Sequence, residues 1–287
     1  MNNNIEKITS YRNHYPQLCH ASNILKKYED GQKTDKLTLI MDQYVTFLEG
    51  NIKLVGFSDS IIKKRVKLLN DYYNFIHNNG FDNLFTSQGK FRPTILEEFL
   101  FLLFKDYVFN CQSEYDAAEY FDSGSVKAYS NLYFKAKSLA EFIENPDIAV
   151  NEKDQDFAIY RKFLLTINNS KTINLQVPVL AIEAKTYIDK TMLDGIIATA
   201  EKVKSGNPYA MFISVTESYD VALGVDPAYS RIDQIYVLRK TNPKKLKTEW
   251  VEIDSNVVIR MFHKIKTHLE RPWSDVQTRL TEDGEII

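Results

Sequence analysis

Cysteine is scarce in the 287-residue sequence, and its two copies, Cys19 and Cys111, are too few for a disulfide framework or a thiolate zinc site. The five histidines are scattered, and none forms a pair at the spacing of a zinc protease. No glycine-rich nucleotide loop is present. Apolar runs such as 99–104 are far shorter than the ~20 residues of a membrane span, and the first residues lack the apolar stretch of a signal peptide. These absences predict a soluble, cytoplasmic protein with no membrane partner.

No charge of one sign dominates the chain. Lys and Arg total 36 against 38 Asp and Glu, a formal net charge of −2. This balance excludes a uniformly basic coat for nucleic acid, although it allows local basic patches. Hydrophobic residues make up 44% of the chain, enough for a sizeable core.

The first ninety residues have helical patterning. Segments 34–55 and 58–80 each place apolar residues at helical spacing, which gives one apolar face per helix. We therefore predict a helical N-terminal region over 1–90 and a second domain over 91–287. At its start, Thr94 and Glu97 form a capping-box pattern after Pro93. The helix that follows is apolar on nearly all sides, which is typical of a buried helix.

The hydrophobic period changes near Asp156. Segments 156–168 and 177–185 are strand candidates joined by a turn-rich connection over 168–174, and a helix over 191–206 follows. Further strands are predicted over 209–216 and 233–240, and a closing helix over 256–270. The crossover from the second strand to the third is long enough to join parallel strands. This order predicts an α/β fold with a mixed β-sheet flanked by helices.

Three charged residues near the strand ends carry the chemistry. Glu183 and Lys185 are two apart on one strand and therefore share a face. An antiparallel hairpin would bring Asp156, at the start of the preceding strand, beside them. Two carboxylates can hold Mg²⁺, and a nearby lysine can orient or deprotonate a water and offset charge on a phosphate. The alternative is an ordinary strand-end ion pair beside an unrelated acid.

The spacing D-(x)26-E-A-K in such a hairpin resembles the PD-(D/E)XK nuclease core. More narrowly, segments 94–104, 151–159, 177–212 and 232–240 resemble type II restriction endonucleases of the BbvCI group. The resemblance covers about half of the chain and implies that 91–287 is a PD-(D/E)XK nuclease domain. It gives no match in the first ninety residues, for which we predict a role in DNA recognition or dimerisation. It implies a restriction-endonuclease-like core in which Asp156 and Glu183 bind the metal and Lys185 is the catalytic lysine. Asp154 is a rival ligand, but Asp156 directly precedes the apolar segment 157–159, as in the family pattern.

The resemblance also implies an activity and partners. It implies Mg²⁺-dependent hydrolysis of double-stranded DNA at a short specific sequence, by a homodimer or by a heterodimer with a related nuclease subunit. Two alternatives stay open at this point: a repair or defence nuclease that recognises DNA structure, and a non-catalytic DNA-binding subunit on the same scaffold.

Other residues extend the prediction with less support from the pattern. Glu98, on the apolar helix, is a candidate third catalytic acid, with a surface salt bridge as the alternative, whereas Glu201 is expected to make a helix ion pair. Basic and aromatic residues before the first predicted strand suit phosphate contacts and are predicted to bind DNA; they are Lys127, Tyr129, Lys135 and Lys137. A second basic cluster is expected to be a solvated helix face; its members are Lys63, Lys64, Arg65 and Lys67.

Overall fold

A computed structural model describes residues 3–32, 34–85, 91–167, 171–222, 224–271, 277, 280, 281 and 284. The N-terminal region is helical, as its patterning predicts. Its helices, together with the long helix that follows, are α1 (Asn3–His14), α2 (Cys19–Glu29), α3 (Thr34–Lys53), α4 (Asp59–Asn78) and α5 (Phe91–Glu114). The apolar positions read from the sequence form the packed faces, so that Ile40 and Tyr44 of α3 and Leu69 of α4 are fully buried.

The predicted capping box at the start of α5 is wrong. The helix already includes Phe91, and the Thr94 hydroxyl lies inside its first turn, where it donates a 2.8 Å hydrogen bond to the Phe91 carbonyl. The Thr94 Oγ1 atom also lies 2.8 Å from the Nδ1 atom of the His20 ring. Its hydroxyl therefore joins helix α5 to helix α2 instead of beginning a helix.

A five-stranded mixed sheet follows, in the spatial order β1-β2-β3-β4-β5. Its strands are β1 (Phe121–Lys135), β2 (Asp147–Ile167), β3 (Lys171–Ile188), β4 (Met211–Tyr219) and β5 (Gln234–Val237). The first three are antiparallel, whereas β3, β4 and β5 are parallel. The remaining helices are α6 (Leu139–Glu144), α7 (Lys190–Gly206), α8 (Pro243–Thr248) and α9 (Ser255–Glu270). The parallel β3–α7–β4 crossover confirms the connection expected from the sequence.

Two parts of the sheet differ from the sequence-based expectation. Strand β1 covers the stretch taken for a basic segment, and β2 begins nine residues before Asp156. Of the expected connection over 168–174, residues 171–174 belong to β3, and the rest lies outside the described residues. The apolar residues of 147–155 form one short run over 148–150, and the others are charged or polar, so this half of β2 shows no apolar period.

Each face of the sheet is covered by a helix layer. Helix α5 packs on one face, where Phe104 stacks on Phe157 of β2 with ring centroids 5.7 Å apart. Helix α7 packs on the other face, over Ala181 and Phe212. Helix α7 ends at Gly206, where a Cβ atom would lie 2.4 Å from the Ser130 carbonyl oxygen of β1, so this close approach requires glycine.

The largest buried hydrophobic cluster crosses the boundary predicted at residue 90. It joins the N-terminal helices, α5, the sheet and α9 in one buried cluster. Helix α5 lies at its centre and is buried on nearly all sides, as its sequence predicts. None of the helices in the described part of the chain combines the length and the apolar character needed to cross a lipid bilayer.

Candidate active site

Three charged side chains meet where β2 and β3 run side by side. The strand register places Phe157 opposite Ile182, so the next residues outward, Asp156 and Glu183, lie side by side. The Lys185 Nζ atom lies 2.7 Å from Glu183 Oε1 and 3.1 Å from Asp156 Oδ2. The hairpin therefore brings together the three residues that the sequence pattern indicated.

The backbone also fixes one of the two acids. Asp156 Oδ2 accepts a 2.9 Å hydrogen bond from the backbone N–H of Ala184, the residue between Glu183 and Lys185. Next to the cluster, Phe157 of β2 and Ile182 of β3 are fully buried and hold both strands against the core. The charged groups thus lie at the edge of the buried part of the sheet.

Electrostatic effects within the cluster oppose one another. Burial raises the pKa of Glu183, as does the neighbouring charge of Asp156, against the opposite effect of Lys185. Burial alone would lower the pKa of Lys185, but the charges of Asp156 and Glu183 outweigh it and raise that pKa. The lysine is therefore held as an ammonium group by the two carboxylates.

The donor set suits a hard divalent cation. The side chains of Asp156 and Glu183 are 24% and 16% exposed, so solvent reaches both carboxylates. Mg²⁺ is commonly bound by one or two carboxylates while it keeps several waters. A cation there would also favour the ionised form of Glu183, whose pKa burial raises. In the described part of the chain no cluster of three or more His, Cys, Asp or Glu side chains forms a metal cage.

Comparison with known proteins decides the family. The model of the Bpu10I restriction endonuclease family matches residues 88–251, more than half of the chain and all three clustered residues. This chain belongs to the Bpu10I restriction endonuclease family. A chain of the native BbvCI A2B2 tetramer has a similar fold, with a TM-score of 0.71 at 18% sequence identity. That match covers 89% of this chain and 96% of the BbvCI chain. A comparison with curated proteins gives no match.

The alternative ligand in this Bpu10I-family chain, Asp154, lies outside the cluster. Its Cα atom lies opposite Lys127 of β1, and its side chain is exposed. Lys185 instead forms ion pairs with Asp156 and Glu183. The geometry therefore favours Asp156, which the motif of the family also indicated.

Glu98 is not brought to the cluster, so its predicted catalytic role is not supported. The side chain is fully buried among the N-terminal helices and accepts hydrogen bonds from the backbone N–H groups of His20 and Ala21, at 2.8 and 3.0 Å. The Tyr44 hydroxyl donates a third, at 2.7 Å. Glu98 thus satisfies N–H groups in the first turn of α2, which have no partner within their own helix.

The predicted DNA-contact residues follow the edge strand and the turn after it. Lys127, Tyr129 and Lys135 belong to β1, and Lys137 follows its end. All three lysines are exposed, whereas Tyr129 is half-buried. Lys127 lies opposite Asp154, and Lys135 lies eight residues or roughly 26 Å farther along the strand. They therefore line an arm of the sheet that extends beyond the cluster.

Two other predictions from charged residues have mixed outcomes. Arg65 is 1% exposed and pairs with Asp106 at 2.8 Å, so the cluster around it is not a uniformly solvated helix face. Lys63, Lys64 and Lys67 are exposed as expected. Glu201 does form an ion pair, but its partner at 3.0 Å is Arg231, outside its own helix.

The sequence pattern indicated neither Lys153, beside the site, nor Glu217, on the other face of the sheet. Lys153 lies close enough for its charge to oppose the increase in the pKa of Glu183. On the other face of the sheet, the fully buried Glu217 pairs with Arg239 at 2.8 Å and with Arg92 at 3.0 Å. Recognition that β2 starts before Asp156 would have placed Lys153 near the site. The partners of Glu217 are 125 and 22 residues away in sequence, so no local pattern indicates them.

Proposed function

We propose that this chain is a cytoplasmic, Mg²⁺-dependent type II restriction endonuclease, or a subunit of one, that hydrolyses double-stranded DNA at a short specific sequence. The observation that carries the proposal is the Asp156–Glu183–Lys185 cluster, in which Lys185 Nζ lies within 3.1 Å of both carboxylates. Membership of a restriction endonuclease family supports the same activity.

The chain's own residues have distinct tasks in this mechanism. Asp156 and Glu183 would hold Mg²⁺, which when bound polarises a phosphate oxygen and acidifies a water. Because the two carboxylates keep Lys185 protonated, its ammonium group donates hydrogen bonds. It therefore orients the attacking water and offsets the negative charge that develops on the phosphate.

DNA approaches the cluster along the arm formed by β1 and the first half of β2. Lys127 lies nearest the cluster, and Lys135 and Lys137 follow outward, so their exposed ammonium groups suit successive backbone phosphates. Tyr129 lies between them on the same strand. In this proposal these contacts fix the position of the duplex, whereas the helical region over 1–90 contributes recognition or dimerisation.

A double-strand break needs two such centres. One cluster per chain cuts one strand, so we propose a homodimer or a heterodimer with a related nuclease subunit. The BbvCI structure with the similar fold is an A2B2 tetramer, which supports an assembly of related chains.

Digestion of plasmids of known sequence tests the proposal. The purified chain is incubated with plasmid DNA and Mg²⁺, alone and with candidate partner subunits, and the product ends are sequenced. Discrete fragments with a shared sequence at their ends are expected. Cleavage at branched or damaged DNA without sequence preference would instead indicate a structure-specific nuclease. DNA binding without metal-dependent cleavage under every partner condition would indicate a non-catalytic subunit.

Matched variants show whether the cluster performs the cleavage. Glu183→Gln and Lys185→Ala are expected to abolish cleavage while the fold is kept. Glu201→Gln is the control, since Glu201 is an exposed glutamate that pairs with Arg231. Full activity in Glu183→Gln would contradict the assignment.

A further inference from the structure

The outer part of the sheet is a two-stranded arm. Its strands are 131–135 of β1 and 147–151 of β2, and helix α6 lies between them in the chain. In the described sheet, β3 pairs with β2 only from Phe157 onward, so the arm has no third strand, and neither of its two segments contains a buried residue. A two-stranded ribbon is at best marginally stable in water unless other groups pack on it. The stability of the arm therefore calls for a further surface packed against it.

Apolar side chains are concentrated on this arm although water reaches them. Phe134 is 62% exposed, and Leu139, Phe142 and Ile143 of α6 are between 53% and 74% exposed. The three α6 residues occupy positions i, i+3 and i+4, so they share one face of the helix. Single exposed apolar residues are common on proteins, but four within ten consecutive positions form a patch. We call these four residues the arm patch.

The alternation of the strands gives the arm one apolar face. This face carries two cross-strand apolar pairs, which are Phe134 with Ile148 and Leu132 with Val150. Lys135 is next to Phe134 in β1, so its side chain points to the opposite face. The phosphate contact proposed for Lys135 therefore leaves the apolar face free for another partner.

The area of the arm patch suits a protein interface. Each of its four side chains exposes on the order of 100 Å², since a whole aromatic side chain buries about 150–250 Å². The total of about 400 Å² is typical of an interaction site. A standard interface buries about 800 Å² per partner, with an apolar core and a polar rim. The arm patch would supply that core, and the half-buried Leu132, Ile148 and Val150 would extend it.

The charges around the arm patch favour a second copy of the chain over a strongly charged partner. Residues 131–151 contain three acids against two lysines, a net charge of −1; they are Glu141, Glu144, Asp147, Lys135 and Lys137. An apolar face with nearly balanced charges does not suit a polyanion, which requires an excess of positive charge. A twofold contact between identical patches is self-complementary. It can place the lysines of one copy beside the acids of its partner.

We propose that the arm patch is the surface through which two copies of this chain associate, with the apolar faces of the two arms packed on each other about a twofold axis. The inference rests on the proposed function in that it names the surface of the two-chain assembly. Each copy supplies the packing that the partner's two-stranded arm lacks. Lys171 of β3 donates a 2.7 Å hydrogen bond to the Ile148 carbonyl and so fixes the arm before association, which lowers the cost of ordering it.

Sedimentation velocity of the full-length protein tests the inference, in chelator and without DNA, over a wide range of protein concentration. Phe134→Glu and Ile143→Glu each place a charge in the arm patch. Because both side chains are exposed in the single chain, the fold should be kept, and circular dichroism checks this. Val55→Glu is the matched control, since Val55 is an aliphatic residue that is 76% exposed and lies after α3, outside the arm.

Wild type and Val55→Glu are expected to form dimers with the same dissociation constant. Phe134→Glu and Ile143→Glu should each raise it by roughly 100-fold or more, because a twofold contact buries each substitution twice. At concentrations where only wild type is dimeric, Ile143→Glu should nick supercoiled plasmid and give little linear DNA.

A monomeric wild type, or patch variants that dimerise as wild type does, would overturn the inference whatever their cleavage activity. Loss of the dimer in Val55→Glu alone would also overturn it and would place the interface on the N-terminal helices. A wild type that dimerises through the arm patch but cuts no DNA contradicts the proposed function and leaves this inference standing.

Discussion

Replacing Glu98 with glutamine distinguishes a structural acid from a catalytic one. Burial raises the pKa of Glu98 from its ordinary value of 4.5 to about 7, against the opposing effect of the hydrogen bonds from Ala21, Tyr44 and His20. The native state therefore binds the Glu98 proton more tightly than the unfolded state does. This stabilisation is complete below pH 4.5 and is lost as the pH rises through about 7.

The magnitude follows from the two pKa values. At about 1.4 kcal/mol for each pH unit, the interval from 4.5 to about 7 corresponds to a loss of about 3 kcal/mol in the free energy of unfolding. Glu98→Gln has no proton to lose, so its stability lacks this contribution. The free energy of unfolding of Glu98→Gln minus that of wild type should therefore increase by about 3 kcal/mol between about pH 4.5 and about pH 8.

Urea unfolding of both proteins across this pH range measures the difference, since the other titrating groups are common to both. Glu201→Gln controls for the loss of an exposed carboxylate. A constant difference between wild type and Glu98→Gln at all pH values would refute the reasoning from burial. At neutral pH, Glu98→Gln is expected to cut DNA as wild type does. Loss of cleavage in a folded Glu98→Gln protein would show that the acid takes part in the reaction after all.

Four further predictions concern the site and its assembly. Asp156→Ala should abolish cleavage and Asp154→Ala should not, by plasmid digestion; the reverse result moves the metal ligand by two residues. Mg²⁺ or Mn²⁺ should support cleavage and Ca²⁺ binding only, because Ca²⁺ takes longer and less regular coordination; undiminished cutting in excess chelator would eliminate the mechanism. Glu217→Ala should lower the free energy of unfolding by about 3–5 kcal/mol in urea unfolding, because it leaves the buried Arg239 without its carboxylate, and wild-type stability would mean that the ion pair contributes little. Mixtures of wild type with Glu183→Ala should accumulate nicked plasmid before linear DNA, and linear product without nicks would indicate that a single chain makes both cuts or does not exchange partners.

The elements that the sequence revealed are those with a clear apolar period. Helices α3, α4, α7 and α9 and strands β3 and β4 all bury a regular set of apolar side chains, so their patterns predict them. The second half of β1 and the first half of β2 pair with each other and extend past the core. Most side chains there are polar and exposed, and backbone hydrogen bonds hold the two strands together. Backbone hydrogen bonds leave no hydrophobic pattern in the sequence.

The same distinction applies to the site. Glu183 and Lys185 are two residues apart, and one hairpin connects them to Asp156, so local rules bring all three together. Glu98 and Glu217 are glutamates like Glu183, but the residues around them belong to elements that are distant in sequence. His20, Ala21 and Tyr44 meet Glu98 only because α2 and α3 pack on α5. Tertiary packing thus decides whether a glutamate lies in the candidate active site or accepts hydrogen bonds from the first turn of a helix.

The central position of α5 limits how an enzyme of this kind can be re-engineered. One side of this helix contacts the sheet through Phe104, and another carries Glu98 against the N-terminal helices. Removal of residues 1–90 would therefore expose the apolar surface of α5 and leave the carboxyl group of Glu98 without its hydrogen-bond donors. Chimeras that join the N-terminal helices of one relative to the nuclease core of another would have to exchange α5 as well. The helices of 1–90 and the sheet of this chain therefore cannot be exchanged as separate modules.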